Sequence, residues 1–208
     1  MTNAMKLLFL FILVTPGIVS LSAETLSFDF ADPKGVNTIN FNLDSLLESI
    51  NGNGKGVSGR VKYDPSFPDK TTGTIELDTT SLKVANPTMN GHLLGTKWMD
   101  VKNHPDIQFK VASLQNVETT GNITSAEIVG ELTVKGVTRQ ITTNTTLTFL
   151  KGKLKARMGP RGPNGDLLVI RTKFSVFRSD FGIGAADDSE KVAEEIEISL
   201  SLAGQSIY

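Results

Sequence analysis

The 208-residue chain predicts an all-β fold, an antiparallel barrel or sandwich, on three observations. Apolar and polar residues alternate with period 2 through segment after segment, and those segments are rich in β-branched residues. Pro, Gly, Asp and Asn separate them, where an α/β chain would place helices. Alternation puts one face of each strand against a core and the other in water, as antiparallel strands around a single interior require. No shift of composition and no Pro/Ser-rich linker interrupts the pattern, so residues 24–208 read as one domain.

In chain order, the first element is a leader. Lys6 precedes the apolar run Leu7-Leu8-Phe9-Leu10-Phe11-Ile12-Leu13-Val14, followed by Thr15-Pro16-Gly17 and small residues to Ala23. A basic start, a short apolar centre and a small-residue end form a secretory signal peptide, placed at 1–23. The run is too short to span a bilayer, which takes about 20 apolar residues. Residues 25–30 and 36–43 are then two strands around Asp32-Pro33-Lys34-Gly35, where Pro fixes φ and Gly permits positive φ. Residues 56–63 and 72–78 repeat the arrangement. Ile107, Phe109 and Val111 alternate with Gln108 and Lys110. Ile128, Leu132 and Val134 alternate with Glu127, Glu131 and Lys135. Further strands follow from Ile141, Leu147 and Phe149, from Leu168, Ile170, Phe174 and Val176, and from Ile196, Ile198, Leu200 and Leu202. Two stretches depart from period 2. Residues 44–50 set Leu46, Leu47 and Ile50 on one helical face, and Asn86-Pro87 opens a helical stretch to Asp100 with Met89, Leu93, Leu94 and Trp98 on one side. About eight to ten strands with one or two short helices are expected, a closed barrel or a sandwich.

Composition excludes several chemistries. Without cysteine there is no disulfide, thiolate nucleophile, Cys-type zinc site or iron–sulfur cluster. A net charge of −1 offers no general attraction to nucleic acid. His92 and His104 lack metal-ligand spacing, and no G-x-S-x-G elbow is present. Gly54-Lys55-Gly56-Val57-Ser58-Gly59 matches G-x-G-x-x-G in letters only, because it leads into a strand and not a helix. The acidic groups Asp187-Asp188-Ser189-Glu190 and Glu194-Glu195 lack calcium-loop spacing and read as a solvated turn and strand face. No cofactor and no metal are expected, and no segment after the leader is long enough for a membrane span.

Four motifs, in order along residues 59–184, resemble the YceI-like family. Gly130-Glu131-Leu132-Thr133-Val134-Lys135-Gly136-Val137-Thr138-Arg139 is similar to that family's G-x-L-T-[IV]-x-G-V-T-[KR]. His92-Leu93, Trp98-Met99-Asp100-Val101 and His104-Pro105-Asp106-Ile107-Gln108-Phe109 resemble a second series. Phe174-Ser175-Val176-Phe177-Arg178-Ser179-Asp180-Phe181-Gly182 resembles F-x-[IL]-x-R-x-D-[FW]-G, and Gly59-Arg60-Val61 an element near the start. Asn90-Gly91 stands where the family has Arg-Asp, and 44–54 and 151–166 are longer than its connections; both insertions are read as surface decoration. The resemblance implies a lipocalin-like antiparallel β-barrel of about eight strands, exported to the periplasm, holding an isoprenoid or fatty-chain lipid.

In such a barrel, core-facing and cavity-lining are one direction. Phe41, Trp98, Phe109, Leu132, Val134, Leu147, Phe149, Phe174 and Phe181 are therefore the candidates to touch a bound chain, with Trp98 plugging one end from a helix. His92, Arg178 and Asp180 are the candidates for a polar head group. Arg178 and Asp180, two apart, are read as sharing one face of an extended strand, as an ion pair or a bond to a neighbouring loop. The expected function is sequestration or transport of the lipid by a protein that is not an enzyme, and a homodimer is left open. Two alternatives stay beside it. One is an enzyme using His92, Asp100, Arg178 and Asp180 around the mouth; the other is a filled barrel acting on a partner through surface loops.

Overall fold

Period-2 alternation turns into a ring of strands because each strand needs a hydrogen-bonded neighbour on both sides and shelter for one face. The structure, a computed structural model, describes residues 25–184 and 190–208. The leader and the Asp187-Asp188-Ser189 turn lie outside those residues. The strands are β1 (Leu26–Asp29), β2 (Thr38–Asp44), β3 (Ser49–Gly54), β4 (Val57–Tyr63), β5 (Thr72–Asp78), β6 (Lys83–Val84), β7 (Asp106–Thr120), β8 (Ile123–Val134), β9 (Val137–Leu150), β10 (Gly165–Phe177) and β11 (Glu195–Ile207). Eight of them close in the order β1-β4-β5-β7-β8-β9-β10-β11, all neighbours antiparallel, and β11 returns to β1 at Asp29 opposite Gln205. The barrel of about eight strands is thus the observed fold.

The short β1 covers only one end of β11. Toward the other end β2 takes its place, with Glu197 opposite Asn42 and Ser201 opposite Thr38, and β3 and β6 extend the wall beyond it. Two glycines make the tight geometry available. The β8–β9 hairpin turns on Lys135 and Gly136, at φ 50° and 75°, the two positive values a two-residue type I′ turn demands. Gly59, at φ 119°, lets β4 lie so close to β5 that a Cβ there would sit 2.2 Å from the Thr74 carbonyl oxygen.

Residues 44–50 do not form the expected helix. Strand β2 runs through Asp44, and a turn closed by Ser45 and Glu48, whose backbone N–H and C=O both bond to Ser45, leads directly into β3. A seven-residue helix is marginal in water, whereas here Asp44 pairs with Ser49 and Ile50 with Leu43 across the hairpin. Leu46 and Leu47 are left exposed at the turn, at 81% and 61%. The second expected helix is real but shorter. Helix α1 spans Pro87–Leu94, with Asn86 Oδ1 accepting from the N–H groups of Thr88 and Met89. It stops at Gly95, so Trp98 sits in the turns that follow and not on the helix. The 151–166 insertion contains a further short helix, α2 (Leu154–Met158), whose Leu154 is fully buried.

A candidate ligand cavity

The barrel is filled at one end and hollow toward the other. At the filled end, Phe28, Tyr63 and Phe149 pack ring against ring with centroids 6.1–6.5 Å apart, and the Tyr63 hydroxyl bonds the buried Thr124 hydroxyl. Leu154 of α2, fully buried, packs beside Gly165 at the start of β10. Outside the floor, the Arg157 guanidinium donates two bonds of 2.8 Å to the carboxylate of Asp32. That bidentate pair, with backbone N–H bonds from Val36 and Lys34, holds the Asp32 carboxyl well below the usual carboxylate range. Asn37, also buried, exchanges bonds with Ala203 and donates to the Phe30 carbonyl, tying the β1–β2 connection to β11.

Above this floor lies a cavity of about 770 Å³, within the roughly 300–1,000 Å³ of small-molecule sites. Its wall is built of inward-facing residues from every strand but β1, such as Leu132 and Val134 of β8, Leu147 of β9, Ile170 and Phe174 of β10, and Ile198 and Leu200 of β11. Besides Thr96 at the rim, four threonines line the wall, Thr71, Thr143, Thr145 and Thr172; Thr143 and Thr172 bond each other where β9 and β10 stop pairing. The mouth is framed by α1, by the turns after it and by the β2–β3 hairpin. Glu48, His92, Thr96 and Lys97 supply its exposed polar rim.

The turns after α1 are anchored to the rest of the mouth by backbone bonds. Lys135 Nζ donates to the carbonyls of Lys97 and Gly182 at 3.2 and 3.0 Å, and the Gly184 N–H donates to Lys97 as well. Arg178 is the larger organiser. Only 1% exposed, it donates to the carbonyls of Ala193, Ile183, Gly184 and Val192 at 2.7–3.1 Å. Its guanidinium lies 5.5 Å from the Trp98 ring centroid and 3.4 Å from the Glu194 carboxylate. Hydrogen bonds from Ser179, and the charge of Arg178, hold Glu194 below its ordinary carboxylate range.

Eight of the nine apolar candidates line the cavity: Phe41, Trp98, Phe109, Leu132, Val134, Leu147, Phe174 and Phe181. Phe149 does not. It shares a face with Leu147, but two residues further along β9 its ring belongs to the floor. Among the polar candidates, His92 is at the rim, while Arg178 and Asp180 are outside the lining. Arg178 spends its donors on backbone carbonyls, leaving none directed at a head group. Ser179–Phe181 is a 3₁₀ turn, so the strand rule does not hold across it: Arg178 is buried, Asp180 is exposed, and the ion partner of Arg178 is Glu194. Residues His92, Asp100, Arg178 and Asp180 make no hydrogen bond to one another; Asp100 accepts from Asn103 instead. No group of three or more His, Asp or Glu among the described residues is placed to hold a metal ion.

The wall also contains residues that the sequence reading passed over. Ile39 and Leu43 line the mouth from β2, Glu48 and Ile50 from the 44–54 segment read as decoration, and Met89 and Met99 from α1 and the turn beyond. The alternation Ile39, Phe41, Leu43 carried the signal for the first strand. The inward position of Thr143, Thr145 and Thr172 was equally visible from their register with Leu147 and Phe174.

The family model for the YceI-like domain matches residues 31–203. The chain belongs to the YceI-like family. Curated relatives include a UPF0312 protein of Pseudomonas putida strain F1, 32% identical over 47% of this chain and 48% of its own length. Another, from Pseudomonas fluorescens, is 26% identical over 74% of this chain and 73% of its own. The chain thus spans about half the length of the first of these relatives. Burkholderia cenocepacia BcnA has a similar structure, with a TM-score of 0.64 at 21% identity over 80% of this chain and 95% of that one. A polyisoprenoid binding domain from Saccharophagus degradans gives 0.62 at 10% identity, over 88% and 99%. At such identities the likeness is one of fold.

Proposed function

We propose that this chain is an exported binding protein that holds a polyisoprenoid or comparable long-chain amphiphile in the barrel, for sequestration or transport. The observation that carries the reading is the cavity itself: apolar walls, with an aromatic cluster at one end of the barrel and a polar rim at the other. A chain entering tail first would bury its methylenes along Leu147, Phe174 and Leu200, each contributing about 0.8 kcal/mol. Its head would stay at Glu48, His92, Thr96 and Lys97. The neighbouring fold from Saccharophagus degradans, described as polyisoprenoid binding, supports the ligand class. The basic-apolar-small leader supports export to the periplasm. Binding without chemistry agrees with polar candidates that make no hydrogen bond to one another, Arg178 being engaged by backbone carbonyls.

Native mass spectrometry of the chain purified from its exporting host tests the proposal. A single lipid adduct that octaprenyl alcohol displaces is expected. Lipid-free protein that takes up neither octaprenyl alcohol nor a long-chain fatty acid would overturn it.

A further inference from the structure

The outer wall carries a second, chemically different surface. Strands β6, β3, β2, β11 and β10 lie side by side, and their outward residues fall into two cross-strand rows. One row reads Lys83, Asn53, Asn40, Ser199, Lys173, each opposite the next. The other reads Asn51, Asn42, Glu197, Ser175. All nine border one depression of about 910 Å³ on the barrel exterior, separate in character from the apolar interior. At about 4.8 Å between strands, the two lysines stand about 19 Å apart.

The amides in these rows have few partners. Among the described residues, the side chains of Asn40, Asn42 and Asn53 make no hydrogen bond, and Asn51 reaches only Ser49, at 3.5 Å. Asn42 Oδ1 is buried in the middle of the face and accepts from nothing. A buried amide oxygen without a donor is uncommon in folded proteins. Each primary amide offers two donors and an acceptor at a fixed spacing, which suits neighbouring hydroxyls of a sugar ring. The nine outward residues that border the depression include no aromatic, Met or Arg, the residues that mark protein interfaces, although Arg171 and the exposed Phe177 flank them on β10. With two lysines against one glutamate it lacks the cation density that a nucleic-acid backbone requires.

We propose that this five-strand outer face binds a glycan chain laid across the strands, its hydroxyls on the four asparagines and two serines and any carboxylate substituents on Lys83 or Lys173. The proposal rests on the outward residues of the wall and not on the lipid reading, although Phe41, Val84, Phe174 and Ile198 border both spaces.

The test is a titration of the ¹⁵N-labelled chain with cellotetraose, chitotetraose and tetragalacturonic acid, followed through the Asn side-chain NH₂ signals. Saturable shifts of Asn40, Asn42, Asn51 and Asn53 with at least one of them are expected. The Asn42→Ala/Asn51→Ala variant, its fold checked by its backbone spectrum, should bind about tenfold more weakly. A preference for tetragalacturonic acid that Lys173→Gln removes would identify the acidic glycan as the better ligand. Absence of shifts with all three, shifts confined to other residues, or unchanged affinity in the double variant would overturn the proposal.

Discussion

At the floor of the barrel, Phe28, Tyr63 and Phe149 fill the space between strands, and an Arg157–Asp32 pair seals the outside. At the mouth, the same strands enclose space that their side chains do not fill, and order is kept by backbone bonds to Lys135 and Arg178. One end is stabilised by packing, the other by the donors of Lys135 and of the buried Arg178 around a hollow. The difference shows where the chain keeps its stability and where it keeps room for a ligand. Changes at the floor should act on unfolding, and changes in the hollow on binding.

Phe28→Ala removes a fully buried ring from the floor and should cost about 3–5 kcal/mol, read as a lower denaturant midpoint, with ligand affinity retained below the melting range. A smaller loss would show the floor to be looser than its ring geometry implies. Arg178→Lys keeps the charge but loses the planar fork, so some of the four carbonyls lose their donor. About 2–3 kcal/mol is expected, together with faster amide exchange at Gly184. Exchange accelerating uniformly over the barrel would contradict a role local to the mouth. Asp32→Asn should cost about 1–2 kcal/mol at neutral pH, the value allowing for the partial exposure of Arg157. Because the folded carboxyl titrates below its unfolded value of about 3.9, its contribution is complete above that pH and is lost on acidification. The gap between wild type and variant should therefore narrow below about pH 4; a gap that widens there would refute the assignment. Asp180→Asn, exposed and outside the lining, should shift neither stability nor affinity by more than about 0.5 kcal/mol, and a marked loss of binding would restore it to the head-group site.

Much of this was legible in advance. Alternation located the strands of the ring, because burial on one face leaves a period that short segments display. It did not reveal that β1 and β2 share the side of β11, since that pairing joins residues far apart in sequence. The β2–β3 hairpin was hidden because Leu46, Leu47 and Ile50 fit a helical face equally well, and only tertiary partners decide between the two. Phe149 shares its inward direction with Leu147, but its level in the barrel depends on strand stagger. Arg178 and Asp180 were separated by a turn that ends the strand period, a feature without a signature in the residues before it.

The central claim, that the hollow holds the lipid chain, is tested most directly through Trp98, the single tryptophan, which lines the mouth. Its emission is followed while octaprenyl alcohol is added to wild type and to Ile170→Phe/Leu200→Phe, two neighbouring wall positions whose larger rings occupy the hollow. A saturable one-to-one change in wild type is expected, with affinity at least about tenfold weaker in the filled variant and folding stability within about 3 kcal/mol of wild type. An unresponsive Trp98, or equal affinity in the two proteins, would contradict it.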